Sequence, residues 1–229
     1  MDSVGTKDES EARRATLTRA RVLEAAVGLA DREGIDAVSM RRLGQELGIE
    51  AMSLYTHIRG KEDLLDGMVD MVVAEIPVDT AGPDWRTTLR RQILAARSVM
   101  LRHRWAARII ETRNEPGPAI LAYMETATGI IRDGGFTVDL THHAMHVLGS
   151  RVLGFNQDLF DDSGVPDPEV AAAFAAQMAS AYPNIAAIAG AASHEGGLGG
   201  CDDDYEFAFG LDLILDGLER RRSGGSSAG

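Results

Sequence analysis

Between Glu50 and Lys61 the chain offers Ala51, Met52, Ser53, Tyr55, Thr56 and His57, a run of small, hydroxyl and imidazole side chains without a carboxylate. Arg41, Arg42, Arg59 and Lys61 frame it with positive charge. On a short helix, hydroxyls and backbone amides can meet phosphate oxygens while small residues admit base edges, so this set suits the major groove of duplex DNA. These residues alone leave a second reading open, an ordinary helical hairpin whose polar face is merely solvated. Histidine supplies a second group of candidates: His142, His143 and His146, with the first and last one helical turn apart. Two imidazoles do not complete a metal site, and no cysteine or glutamate partner is evident nearby, so lining of a pocket or an interface is expected and metal is not. Arg151 stands in an apolar stretch, where a guanidinium must be paired or must face ligand or water. Asp158 and a subunit interface are both candidates to meet it. Cys201, the single cysteine, reads as an incidental loop thiol. No GxSxG elbow or P-loop occurs, and GGLGG at 196–200 does not open a helix after a strand. No catalytic residue or cofactor is therefore expected.

The elements that must hold the first set are two short helices joined by a tight turn over Val38 to Lys61. Leu43 and Leu47 on one side of Gly48, then Ile49, Leu54 and Ile58 on the other, give each half one buried stripe at helical spacing. Ser39 is the expected N-cap of the first helix, and Gly48 takes the left-handed conformation that closes it. Gly44 marks the point where the two helices cross too closely for a side chain. Upstream, Thr18 caps a helix running to about Glu33, with Val22, Leu23, Ala26, Leu29 and Ala30 facing inward, and Gly34 ends it. Residues 1–16 read as a disordered polar arm, from which Arg13 and Arg14 could reach a minor groove.

A net charge of −12 argues against nucleic acid only if it is evenly spread. Residues 12–61 hold nine Arg and Lys against six Asp and Glu, whereas residues 62–229 hold thirteen against twenty-five. Phosphate contacts depend on the local patch, so a basic head on an acidic body still suits DNA. The apolar content of 45% supports a sizeable core, and no uncharged apolar stretch is long enough to span a membrane. The opening segment MDSVGTKDESEARRAT is too polar for a signal peptide, so a soluble cytoplasmic protein with no membrane partner is expected.

Further helices are expected over Lys61–Ile76, ended by Pro77, then Trp85–His103, Trp105–Glu111, Ala119–Asp133, Leu140–Phe160, Pro168–Tyr182 and Tyr205–Arg222. Gly134 to Phe136 turns the chain, Gly190 to Asp204 reads as a flexible loop, and the closing SGGSSAG reads as disordered. No alternating strand pattern appears. The expected fold is all-α, with about nine or ten helices: an arm at 1–16, a three-helix head at 17–62, a helical-bundle body at 63–222 and a tail at 223–229.

LGQELGIEAMSLYTHIRGKEDLL resembles the DNA-binding signature of the TetR family of transcriptional repressors in its LxxxLG turn, its LYxH and its KxxLL, over about residues 18–66. RHRWAARII, the GGF turn and GLDLILDGLE are similar to the C-terminal regulatory domain of the tetracycline-repressor branch. The resemblance implies a homodimeric, ligand-released repressor on a palindromic operator of double-stranded DNA, with the helix at 61–76 swinging to change the spacing of two heads. Ser39, Tyr55, His57 and Lys61 would hold phosphates, and Arg41, Ala51, Met52 and Ser53 would face bases. Helices 140–160 and 205–222 would form the subunit interface. In that branch a histidine and a glutamate hold magnesium-bound drug, and the matching positions here look like Ile110 and Asp158. An aliphatic chain in place of imidazole argues against magnesium–tetracycline. The expectation is a metal-free, largely apolar small-molecule effector, held by Gln92, Met100, Trp105, Ile110, Tyr123, Met124, Ala127, His142 and His146. Each of these residues is also suited to plain core. The alternative function is a small-molecule-binding or catalytic helical protein whose head does not bind DNA.

Overall fold

The computed structural model describes residues 17–154, 168–192 and 203–225. Among them are eleven α-helices, one 3-10 turn and no strand. The first is α1, Arg19–Glu33, capped as expected: the Thr18 hydroxyl accepts from the Arg21 amide, and Gly34 follows at φ 85°. A short 3-10 turn, Ile35–Ala37, carries the chain to α2, Met40–Leu47, where the Ser39 hydroxyl accepts from the Arg42 amide. Gly48 then adopts the left-handed conformation, φ 67° and ψ 35°, that closes α2, and α3 occupies Ala51–Leu54. A Cβ on Gly44 would stand 2.9 Å from the Ile49 carbonyl oxygen and 3.1 Å from the Ala51 amide nitrogen. The backbones of the two helices therefore meet with no room for a methyl group, and Leu43, Leu54 and Ile58 are fully buried beside them.

From this head the chain runs into α4, Lys61–Ala74, whose buried face of Leu64, Leu65, Met68, Val69, Val72 and Val73 packs on α1. The other side of α4 packs against α5, Trp85–Arg102, α6, Trp105–Glu111, and α7, Pro118–Asp133. After the Gly134–Gly135 turn, α8, Val138–Gly154, lies along α7 and α5. Two further helices, α9, Pro168–Ala181, and α10, Pro183–Ala192, pack on each other, and α11 is Asp203–Gly225. Two compact units result: one runs through α8 and resumes at Ile214, and the other contains α9, α10 and α11 up to Leu213. The C-terminal half of α11 is pinned within the first unit. Trp85 Nε1 donates to Glu219, Arg222 donates to the Gly134 carbonyl at 2.8 Å, and the Trp85 ring stands edge-on to Phe136 at 4.6 Å.

Several elements depart from the sequence expectation. Tyr55, Thr56 and His57 form a turn after α3 instead of continuing the helix: the Tyr55 amide bonds the Met52 carbonyl, and the Thr56 hydroxyl takes the Ser53 carbonyl. A side chain that satisfies a backbone carbonyl removes a reason for the helix to propagate. Pro183–Ala192 is a helix that runs into the expected loop, because proline suits a first helical turn and alanine carries the best helix propensity. α11 starts at Asp203 and reaches Gly225, beyond the expected limits at both ends. The arm with Arg13 and Arg14, the end of the helix expected over 140–160, Asp158, Cys201 and the last four residues lie outside the described residues.

One carboxylate sets the relation between α1, the turn after α3 and the start of α4. Both Asp63 oxygens accept from Arg19, at 2.7 and 2.9 Å, and one also accepts from the Arg59 amide at 2.7 Å. Arg19 reaches the His57 carbonyl as well. The Arg19 hydrogen bonds hold the Asp63 carboxyl below the usual carboxylate range, with the Arg59 amide adding to the effect.

Two outcomes follow. Gly44→Ala gains about 1 kcal/mol of helix propensity but overpacks a backbone contact, a cost of about 1–3 kcal/mol, so its urea midpoint falls. An unchanged or higher midpoint would contradict the close crossing. Because Asp63 is depressed in the folded state, its stabilisation is fully present above the unfolded value near 4 and fades as pH falls through the folded value. Asp63→Asn should therefore melt lower at pH 7 by roughly 1 kcal/mol, since Arg19 is 43% exposed and the pair is screened. It should also lose less stability on acidification, which paired thermal melts at pH 7 and pH 3 measure.

Candidate functional site

The outer face of the head is built on the α2–α3 crossing. Met52 is 73% exposed and Tyr55 48% exposed, flanked by half-buried Ala51, Ser53 and His57. Arg41 and Lys61 stand exposed at the two ends of this face, and no hydrogen bond or ion pair engages either one among the described residues. Three other head arginines are paired: Arg42 with Glu33 at 2.7 Å, Arg32 with Glu46 at 2.6 Å and Arg19 with Asp63. Internal pairing of those arginines leaves Arg41 and Lys61 as uncommitted positive charge on the head. Ser39 is exposed, but its hydroxyl oxygen already accepts from the Arg42 amide, so it has its proton left to offer. Lys61 opens α4 ahead of Glu62 and Asp63, where its own charge opposes the helix dipole and an external anion would be welcome.

Below the head, α4, α5, α6, α7 and α8 enclose a cavity of about 760 Å³. Met100, Ile110, Tyr123, Met124, Ala127, His142 and His146, all expected as effector contacts, stand in its wall. Gln92 and Trp105 do not. Gln92 is buried on α5, and its side-chain oxygen accepts from the Asp79 amide at 3.3 Å, outside the cavity. Trp105 is buried with its indole N–H given to Asp31 at 2.7 Å. Both departures have one cause, since periodicity assigns a residue to an inner face without saying which partner lies opposite it. Reasoning from sequence missed Val73 and Ile76 at the end of α4, which stand in the cavity wall, together with Thr128, Arg132, Thr141 and Met145. The helical period of α7 and α8 could have found the last four.

The junction between head and body is polar and compact. His103 Nδ1 lies 2.9 and 3.0 Å from the two Asp31 oxygens of α1, and Nε2 lies 3.3 Å from Glu75 at the end of α4. Arg102 donates to the same Glu75 oxygen at 2.7 Å, and that bond, with a smaller contribution from His103, holds the Glu75 carboxyl below its usual range. Arg113, beyond α6, bonds Glu62 and Asp66 on α4, while Asp70 accepts from the Ala119 amide at the start of α7. α4 is thus gripped along its length by both head and body.

The cavity wall is mainly aliphatic, with its polar groups on α7 and α8. The Tyr123 hydroxyl is buried with no hydrogen-bond partner among the described residues, and burial pushes its pKa far above the ordinary phenol range, so it remains a neutral donor. The His142 and His146 rings meet edge-on at 4.6 Å. A hard cation such as magnesium needs several oxygen ligands, and the described wall supplies aliphatic Ile110 at the first expected position and no carboxylate. No group of three metal-binding side chains occurs among the described residues.

Residues 22–68 match the family of bacterial regulatory proteins named tetR, and residues 77–222 match the tetracyclin repressor-like C-terminal domain. The chain is 34% identical over 217 residues to the HTH-type transcriptional repressor DrrR1 of Streptomyces coeruleorubidus, covering 89% of this chain and 78% of that protein. Apo ActR of Streptomyces coelicolor superposes with a TM-score of 0.73 at 29% identity, over 91% of this chain and 98% of ActR. ActR in complex with actinorhodin superposes with a TM-score of 0.71 at 32% identity, over 89% of this chain and 96% of ActR. With both matches falling on the head and the cavity-bearing body just described, this chain belongs to the tetR family of bacterial regulatory proteins and carries a tetracyclin repressor-like C-terminal domain.

Proposed function

We propose that this protein is a transcriptional repressor that binds a palindromic operator as a homodimer and is released by a small, largely apolar molecule. One observation carries the reading: Val73 and Ile76, at the end of the helix that joins head to body, belong to the cavity wall. A ligand filling the cavity therefore touches the element that positions the DNA-facing turn. Binding that favours one setting of α4 disfavours the other by the same free energy, which is the whole requirement for ligand-dependent release. The uncommitted cations and exposed Tyr55 on the head, and the name of DrrR1 as a repressor, support the DNA half of the reading. The complex of ActR with actinorhodin supports the ligand half.

In this reading Ser39, Tyr55, His57 and Lys61 meet phosphates, and Arg41, Ala51, Met52 and Ser53 face bases. The head spans 17–62 and the effector and dimer domain 63–222. The protein works where its operator is, in the cytoplasm. Tyr205, Phe209 and Leu213 recur every fourth residue on α11 and are 63%, 52% and 55% exposed, a stripe of the kind a second subunit covers. Arg41→Ala should weaken operator binding by about tenfold or more, and Tyr55→Phe by about fivefold, in gel shifts on the DNA flanking its own gene at fixed salt. Absence of salt-sensitive binding to any duplex would end the repressor reading. In sedimentation experiments the wild type should run as a dimer and Phe209→Glu with Leu213→Glu as a monomer; a monomeric wild type would remove the palindrome.

A further inference from the structure

His103 follows α5 and is buried, and its two ring nitrogens face carboxylates from different parts of the chain. Nδ1 lies 2.9 and 3.0 Å from the Asp31 oxygens of α1, and Nε2 lies 3.3 Å from a Glu75 oxygen at the end of α4. Two further donors stand behind the carboxylates: α6 gives the Trp105 indole N–H to Asp31, and α5 gives an Arg102 N–H to Glu75, each at 2.7 Å. A carboxylate only accepts, so both contacts are hydrogen bonds only while the ring carries two protons. A ring with one proton keeps one donor and turns a lone pair on the other carboxylate. Glu75 is the partner that gives way, because its contact is the longer, engages one oxygen, and ends on a side chain 39% exposed that Arg102 continues to hold. Asp31 meets Nδ1 with both oxygens and is fixed by the indole.

We propose that His103 is a proton-operated latch on the head: with two protons it ties the end of α4 to α1, and with one it keeps α1 and frees the end of α4. The proposal rests on the repressor reading and deepens it by giving the same switch a second input. Val73 and Ile76 line the cavity on either side of Glu75, so a ligand and a proton bear on one stretch of chain. α1 in turn holds the DNA-facing turn, through the Arg19 bonds to Asp63 and to the His57 carbonyl. A closed latch presents each head at one fixed attitude, which an operator rewards, since less ordering is left to occur on binding. Imidazole is the side chain whose charge ordinarily changes between about pH 5 and pH 8, so the latch opens as pH rises through that window and operator affinity falls with it. Linkage makes the effect reciprocal: operator binding favours uptake of the proton.

Hydrogen–deuterium exchange of the full chain tests the latch without DNA. Protection of amides 72–76, corrected for intrinsic exchange, should fall about fivefold between about pH 6 and pH 8 in the wild type, the worth of one hydrogen bond. His103→Gln should show the same protection at both pH values. So should Glu75→Gln, whose amide keeps the shape and can donate to a ring nitrogen that has lost its proton. Glu75 is the more exposed site, so its variant keeps the test decisive if His103→Gln fails to fold. Protection that does not respond to pH in the wild type, or responds equally in Glu75→Gln, would overturn the proposal. Gel shifts then read the consequence: over the same range wild-type operator affinity should fall about fivefold more than that of Glu75→Gln, with His57 and the DNA common to both. Equal losses, with the exchange result in place, would show a latch that does not reach the head and would overturn its regulatory role. No binding to any duplex would leave the exchange outcome to decide the latch and would count against the repressor reading alone.

Discussion

The Asp31–His103–Glu75 junction is the constraint on which the rest of the structure depends. One imidazole with both ring nitrogens facing carboxylates joins the first helix of the head to the end of α4 and to the segment between α5 and α6. His103 is buried while its carboxylate partners reach the surface, and hydrogen bonds to a buried imidazole are directional. The junction therefore favours a small number of discrete arrangements over continuous sliding. That property is what a head needs if its attitude is to be set by events in the body.

The cavity reaches the same place from the other side. Val73 and Ile76 present aliphatic surface to its interior, while Glu75 between them turns outward to Arg102 and His103. The end of α4 and the two residues after it thus carry both apolar surface for the cavity and a polar contact for the junction. At the opposite end of the helix, Asp63 gathers Arg19 and the Arg59 amide and fixes the turn that carries Tyr55 and His57. α4 and the residues that follow it thus connect the cavity wall to the turn after α3.

Local features were legible because their signals are local. Thr18, Ser39, Gly34 and Gly48 are caps and stops whose chemistry acts within one helical turn, and Gly44 announced a close approach that the Ile49 carbonyl provides. The run of small and hydroxyl residues from Ala51 to His57 was legible as an exposed face, although its last residues form a turn instead of helix. The alanine-rich segment ending at Ala192 was under-read, since its glycine and its neighbourhood of loop residues masked a strong helix propensity.

Composition, periodicity and capping by themselves determined an all-helical chain, a helix-turn-helix head with a basic face, and an inner stripe for each long helix, because those properties depend on neighbours three or four residues away. Only the tertiary structure decided that Trp105 serves Asp31 and that Gln92 serves the loop backbone, though both had the profile of cavity residues. It also decided that Val73 and Ile76 face the cavity. These assignments depend on which helix lies opposite, across separations of 13 to 74 residues, and a one-dimensional period carries no information about the identity of the partner it faces.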